Sequence, residues 1–135
     1  MTRREAREHV MKLLFQKDFV EEQEYDSQAM DYLERFEIAE KHHGFILKEY
    51  NGAILHQEAI DDIITESSKK WKTSRMAKLD LTILRLAVYE MYYEEDIPNN
   101  VAINEAVELA KKYSSDESPA FVNGLLANVI RDIKE

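Results

Sequence analysis

Three arginines near the start of the chain are the residues whose type and spacing best fit a functional site. On a helix, Arg3, Arg4 and Arg7 would fall within about a third of the circumference, flanking the apolar stripe. Arginine binds phosphate through a planar fork of N–H donors, and an exposed ring such as that of Phe15 can stack on an unpaired base. The pattern therefore allows a nucleic-acid surface. The alternative is a solvated face of Arg–Glu pairs with Phe15 in the core, and the spacing alone leaves both open.

Catalytic and metal-binding constellations are not predicted. His42 and His43 are adjacent, so a helix cannot place both on one face, and the sequence contains no His-x-x-x-His pair suited to zinc. Glu58, Asp62 and Glu66 form a ridge opposite an isoleucine stripe, whereas a general acid needs burial or a specific neighbour. There is also no glycine-rich phosphate loop. We predict no catalytic residue, metal ligand or cofactor, and therefore a protein that is not an enzyme.

The composition restricts the classes of partner. The 135 residues include 27 acidic and 18 basic side chains, for a net charge of −9. Because RNA affinity depends largely on phosphate neutralisation, RNA binding would need a local basic patch or a basic partner. The absence of cysteine excludes a disulfide framework. No apolar run approaches the roughly 20 residues that span a bilayer, and the start does not resemble a signal peptide, so we predict a cytoplasmic protein without a membrane segment.

Apolar residues recur at helical spacing along nearly the whole chain, which predicts an all-α protein of about seven helices. We expect one domain, residues 1–135, with an N-terminal lobe of about residues 1–71 and a C-terminal lobe of about residues 72–135. The second helix should start at a cap on Asp26 or Ser27 and bury Met30, Leu33 and Phe36. The other predicted helices are about Arg3–Phe19, Phe45–Leu55, Gln57–Trp71, Leu79–Tyr93, Val101–Tyr113 and from Pro119 onward, the last capped by Ser118.

Two glycines fall inside predicted helices, where glycine costs stability. Gly52, after Asn51, locally weakens the third helix. Gly124 lies in the apolar last helix, and its cost predicts the close approach of another backbone.

Four segments resemble the NusB family. They are the core helix and exit turn at Leu84–Met91 and Asp96–Pro98, the VAINEAVELAK-type signature at Val101–Tyr113, the S-x-x-FVNGVL motif at Ser118 and Phe121–Leu126, and the arginine-rich start at Arg3–Glu8. The resemblance extends over essentially the whole chain, although residues 20–75 match only in pattern.

Membership of this family would imply an all-α fold of two small packed bundles and a role in transcription antitermination. The family's factors bind boxA-type RNA together with NusE, a ribosomal small-subunit protein. The complex joins the RNA polymerase elongation complex with other Nus factors, notably on ribosomal RNA operons. The main alternative is a protein–protein adaptor without significant RNA affinity of its own.

The resemblance also implies which residues contact RNA. They are Arg3, Arg4, Arg7, Phe15, Asp80, Glu117 and Phe121, with Phe15 standing where the family commonly has tyrosine. Glu5 occupies a position where a further arginine is common, and the basic residue that often precedes the phenylalanine is missing here. Both departures lower the local positive potential. We therefore predict weak RNA binding by the isolated chain and stronger binding when basic NusE is present.

The end of the fifth helix is a candidate partner surface. We predict that NusE, or a second copy of the chain, contacts Glu90, Tyr92, Tyr93 and Glu94. The sequence leaves the choice between a monomer and a homodimer open.

Overall fold

Seven α-helices and three short 3-10 helices form the fold in the computed structural model, which describes residues 1–69 and 71–134. The α-helices are α1 (Arg3–Lys17), α2 (Tyr25–Arg35), α3 (His43–Leu55), α4 (Gln57–Ser68), α5 (Lys78–Tyr93), α6 (Asn99–Tyr113) and α7 (Ser118–Lys134). The 3-10 helices are Glu22–Glu24, Glu40–His42 and Thr73–Arg75. No strand occurs within the described ranges. The all-α prediction and the number of helices are confirmed.

Helix boundaries differ from the predicted ones by a few residues. Helix α2 begins at Tyr25, ahead of both predicted caps, and α7 begins at Ser118, one residue early. Helix α4 ends at Ser68 because Lys69 adopts a left-handed conformation with φ of 58°, which cannot continue a right-handed helix. The predicted end of α4 at Trp71 is therefore wrong, and Lys70 lies outside the described residues.

Helix α5 is the central element of the core. Almost every residue from Asp80 to Glu90 is buried, because α1, α3, α4, α6 and α7 all pack around this helix. A helix covered on nearly all sides must be apolar on nearly all sides, as the Leu81–Val88 run is apart from Thr82 and Arg85. The buried side chains of all the helices except the 3-10 turns form one continuous hydrophobic core.

The placement of α4 bears on the division into lobes. This helix packs against α5 and α7, with only minor contact with α3. Helices α1, α2 and α3 make up the other group, and both α1 and α3 contact α5. We propose that the boundary between the two lobes lies at the α3–α4 turn around His56, which assigns α4 to the C-terminal lobe.

Helix α2 is less buried than its pattern suggests. Leu33 is in the core, but Met30 and Phe36 are 53% and 49% exposed. The prediction that these two side chains are buried is wrong. Among the helices, α2 packs mainly on α1, so only a narrow stripe of its surface is covered. No described helix is long and apolar enough to cross a membrane.

Candidate nucleic-acid interface

A capping box holds the start of α1 in place. The Thr2 Oγ1 atom accepts a hydrogen bond from the Glu5 backbone N–H at 3.1 Å, and the Glu5 carboxylate accepts one from the Thr2 N–H at 2.8 Å. This reciprocal pair satisfies two of the amide groups that a helix start leaves free. It thereby fixes the direction in which the three predicted arginines leave the helix.

Arg7 points into the protein rather than toward solvent. Its guanidinium Nε lies 2.9 Å from a carboxylate oxygen of Glu90 on α5, and its Nη1 lies 3.5 Å from Glu105 on α6. Arg7 is 5% exposed and Glu90 is 1% exposed. Removing Arg7 would leave the buried Glu90 carboxylate without its partner, and an unpaired buried charge typically costs about 3–5 kcal/mol. Arg7 therefore holds the start of α1 against α5 and α6.

Arg3 and Arg4 are both exposed, and each has its own neighbour. The Arg3 guanidinium carbon lies 3.9 Å from the centre of the Phe45 ring, which is a cation–π contact. Arg4 binds Glu105 in a forked arrangement, with Nη2 and Nε at 2.8 Å and 3.1 Å from one carboxylate oxygen. This hydrogen bond raises the pKa of Arg4 above its ordinary value. Both guanidinium groups are positioned at the surface of the protein.

A second group of cations, absent from the predicted set, continues this surface. Lys12 on α1 and Lys112 on α6 each place their Nζ atom 5.3 Å from the centre of the Tyr113 ring. The Glu8 carboxylate joins them, since it accepts hydrogen bonds from Lys112 at 2.8 Å and from the Tyr113 hydroxyl at 2.7 Å. The bond to Glu8 raises the pKa of Lys112.

A cavity of about 330 Å³ separates the two helices at this point. It is lined by Arg4, Arg7, Glu8, Glu105, Glu108, Leu109, Lys111 and Lys112. Lys12 could have been found from sequence, because it lies eight residues after Arg4 on the same helical face. The contribution of α6 could not, because its residues are about 100 positions away along the chain.

The remaining predicted RNA residues, apart from Phe15, come together at a second cavity. Asp80, Glu117 and Phe121 line a space of about 230 Å³ where α5 begins, α6 ends and α7 begins. The Asp80 Oδ1 atom accepts a hydrogen bond from the Ser114 hydroxyl at 2.5 Å. Ser114 directly follows Tyr113, so the chain itself connects the hydrogen bond at Asp80 to the cationic group described above.

Phe15 lies apart from the arginines, further along α1. It is half-buried and packs against Phe19, with 5.5 Å between the ring centres. Phe19 is 67% exposed, and the Lys78 Nζ atom lies 5.5 Å from the centre of its ring. One face of α1, continued past Lys17 where the helix ends, carries side chains at spacings of three and four residues. They are Arg4, Glu8, Lys12, Phe15 and Phe19.

The predicted partner residues, like the three arginines, include both buried and exposed side chains. Glu90 is buried against Arg7, whereas Tyr92 and Tyr93 are 40% and 36% exposed. The Tyr93 ring stacks on His56 with 3.8 Å between ring centres and 8° between planes. Glu94 accepts a hydrogen bond from the Tyr89 hydroxyl at 2.6 Å and pairs with Lys48 at 3.0 Å. The exposed members form an aromatic surface at the far end of α5 from Asp80.

This arrangement supplies phosphate-binding cations, aromatic rings and hydrogen-bonding groups along α1, α6 and α7. Within the part of the chain that the structure describes, no group of three or more histidine, cysteine or carboxylate residues could hold a metal ion. Guanidinium and ammonium groups of this kind can pair with phosphate, and exposed rings can stack on unpaired bases.

Comparison with known proteins agrees with this description. The sequence model of the NusB family matches residues 4–131. The transcription antitermination protein NusB of Clostridium novyi is 47% identical over 133 residues, covering 97% of this chain and 99% of that protein. The corresponding protein of Agathobacter rectalis is 50% identical over 129 residues, covering 94% and 98%.

Solved structures show the same fold. The structure of T. maritima NusB is 33% identical, with a TM-score of 0.88, and covers 98% of this chain and 92% of that one. A complex of antitermination factors NusB and NusE with double-stranded RNA contains a chain with a TM-score of 0.85 and 24% identity, covering 96% of each, which supports the fold alone. The fold and these matches define a helical protein of the transcription antitermination class. The chain belongs to the NusB family.

Proposed function

We propose that this chain binds boxA-type RNA together with NusE and joins the RNA polymerase elongation complex with other Nus factors, notably on ribosomal RNA operons. In this proposal the chain is a non-catalytic factor that needs no cofactor and acts in the cytoplasm, as a monomer or homodimer. The observation that carries the proposal is the continuity of one face. Arg4, Glu8 and Lys112 line one cavity, and Glu8 accepts hydrogen bonds from Lys112 and Tyr113. Ser114, the residue after Tyr113, donates a hydrogen bond to Asp80.

The RNA residues inherited from the family resemblance take different parts in this proposal. We assign phosphate contacts to Arg3 and Arg4, and stacking or edge contacts to Phe15, Phe121, Asp80 and Glu117. Arg7, being buried against Glu90, keeps α1 in position instead of contacting RNA directly. Lys12, Lys111 and Lys112 are added as cations of the same face.

The ion pairs on this face also support dependence on NusE. Glu105 neutralises Arg4 and Glu8 neutralises Lys112, so the isolated face has less positive potential than its count of cations suggests. Because phosphate neutralisation drives RNA affinity, a basic partner beside this face would strengthen RNA binding. We propose that NusE binds the aromatic surface formed by Tyr92 and Tyr93, next to Glu94.

The test is fluorescence anisotropy of a labelled boxA-like RNA, titrated with the chain alone and with the chain plus NusE, at several salt concentrations. Arg4→Glu should weaken binding and reduce the slope of log K against log salt by about 1, as expected for one lost phosphate contact. Arg131→Glu, which changes another exposed arginine near the end of α7, is the matched control and should change neither the affinity nor the slope.

Two results would count against the proposal. Equal, tight RNA binding with and without NusE would refute the dependence on a basic partner. If Arg4→Glu left RNA binding unchanged while the chain still bound NusE, the alternative of a protein–protein adaptor would be favoured instead.

A further inference from the structure

The cavity that contains Asp80 and Phe121 has two further walls that the family resemblance did not indicate. Trp71 and Arg75 line it as well, together with Met76. These residues come from the connection between α4 and α5, whereas Phe121 comes from α7. Four segments of the chain therefore converge on a space of about 230 Å³. A flat ring system of one nucleobase would fit a space of this size.

Trp71 is held in an exposed position by its local structure. The left-handed residue Lys69 turns the chain at the end of α4, and the Ser68 hydroxyl then donates a hydrogen bond to the Trp71 carbonyl oxygen at 2.5 Å. The Trp71 side chain is left 53% exposed. Exposing so large an apolar ring forgoes burial energy, which makes an exposed indole beside a cavity a candidate surface for a ligand.

The polar groups of the cavity complement an aromatic base. Asp80 is 8% exposed, and its carboxylate can accept a hydrogen bond from an N–H group at the edge of a base. Arg75 is exposed and forms no ion pair with any residue in the described ranges, so it is available for a phosphate. The cavity combines aromatic rings, a hydrogen-bond acceptor and an unpaired cation. This combination matches a nucleotide better than an apolar peptide side chain, which would need neither the carboxylate nor the guanidinium group.

We propose that this cavity holds one unpaired nucleobase of the bound RNA, stacked on Trp71 and Phe121, with Asp80 at the base edge and Arg75 on the adjoining phosphate. The inference rests on the proposed function and adds a defined base-binding site to it. It extends the RNA path from the start of α1, past Tyr113, to the α4–α5 connection.

Trp71 is the only tryptophan in the chain, so its fluorescence reports on this site directly. Titration of the wild-type chain and NusE with unlabelled boxA-like RNA should quench its emission, because a stacked base quenches indole. A series of RNAs, each with one abasic position, should then contain one member that binds but fails to quench. That member identifies the nucleotide in the cavity.

Variants separate stacking from a general loss of structure. Trp71→Ala should weaken RNA binding about tenfold, as expected for the loss of one base–aromatic stack, whereas Trp71→Phe should stay within about threefold. Phe36→Ala, which truncates another exposed ring at the end of α2, outside both the proposed RNA face and the proposed NusE surface, is the control and should bind RNA as the wild type does. Circular dichroism verifies that each variant is folded.

The outcomes distinguish failure of this inference from failure of the proposed function. If anisotropy shows RNA binding while Trp71 emission is unchanged and Trp71→Ala binds normally, the base site is refuted and RNA binding stands. If NusE alone quenches Trp71, the cavity is a protein contact and the inference is wrong. If no RNA binds even with NusE, both proposals fail together.

Discussion

Replacing Glu49 by glutamine should change how the stability of this protein depends on pH. Glu49 lies on α3 and is 1% exposed, and neither of its carboxylate oxygens has a hydrogen-bonding partner of good geometry among the described residues. Burial, followed by interaction with Glu90, raises the pKa of Glu49 to about 10. The folded protein therefore keeps a proton on Glu49 at neutral pH, whereas the unfolded chain loses it above the ordinary value of 4.5.

The sign and size of the effect follow from this difference in proton binding. Because the folded form holds the extra proton, the free energy of unfolding falls as pH rises from 4.5 through the raised pKa. The slope is about 1.4 kcal/mol per pH unit for one proton, so the loss between about pH 5.5 and pH 8 is about 3 kcal/mol. Glu49→Gln has no such proton to lose, because its amide stays neutral throughout this pH range.

The measurement is urea unfolding of the wild type and Glu49→Gln at several values between about pH 5.5 and pH 8, followed by circular dichroism. The difference between the two proteins cancels all other titrating groups and should move by about 3 kcal/mol in favour of the variant as pH rises. Glu58→Gln, at an exposed position on α4, is the matched control. Parallel curves for the wild type and Glu49→Gln would refute the reasoning.

Two further stability predictions come from packing and from a partly buried ion pair. Gly52→Ala should lower the free energy of unfolding by about 1–2 kcal/mol, because a Cβ atom there would lie 2.5 Å from ring atoms of the buried Tyr89. Gly124→Ala should raise the free energy of unfolding by about 0.5–1 kcal/mol, because a Cβ atom there would have nothing within 4 Å and alanine favours a helix. Urea unfolding of the two variants side by side tests this, and shifts of the same sign would contradict it. Asp61→Asn should lower the free energy of unfolding by about 1–2 kcal/mol, because it breaks the forked ion pair with Arg85 at 2.8 Å. High salt should make this loss smaller. An unchanged midpoint of urea unfolding would disprove the prediction.

The helices were predictable from sequence because their signals are local. Apolar spacing and the capping box at Thr2 and Glu5 depend on residues at most a few positions apart. Burial depends instead on which helices meet. The pattern on α2 put Met30 and Phe36 inward, but the helices packed against α2 cover too narrow a stripe to bury them.

Glycine illustrates the same limit. Gly124 was predicted to lie under another backbone, yet it is exposed and a Cβ atom there would touch nothing within 4 Å. The close approach occurs at Gly52, where the ring of Tyr89 from α5 packs against the α3 backbone. A helical glycine costs the same local propensity in both places, so only the tertiary structure distinguishes them.

For the candidate site too, the sequence predicted local placement but not burial. The spacing of Arg3, Arg4 and Arg7 placed them on one side of α1, but not which of them is buried. Their different environments are decided by Glu90 and Glu105, more than 80 residues further along the chain. Motif resemblance indicated Asp80 and Phe121 individually, whereas the shared cavity with Trp71 depends on the α4–α5 connection, where the family pattern is weak.

The pairing of Arg7 with Glu90 also has a consequence for how the protein is made. The two residues are 83 positions apart, so at about 5–20 residues per second the ribosome adds Glu90 roughly 4–17 s after Arg7. Throughout that interval the first helix has neither its acidic partner Glu90 nor the central helix α5, against which it packs in the folded protein. Helix α3 packs against α1 and is made earlier, so it can cover part of the apolar stripe of α1, whereas the contact between α1 and α5 forms only late in synthesis.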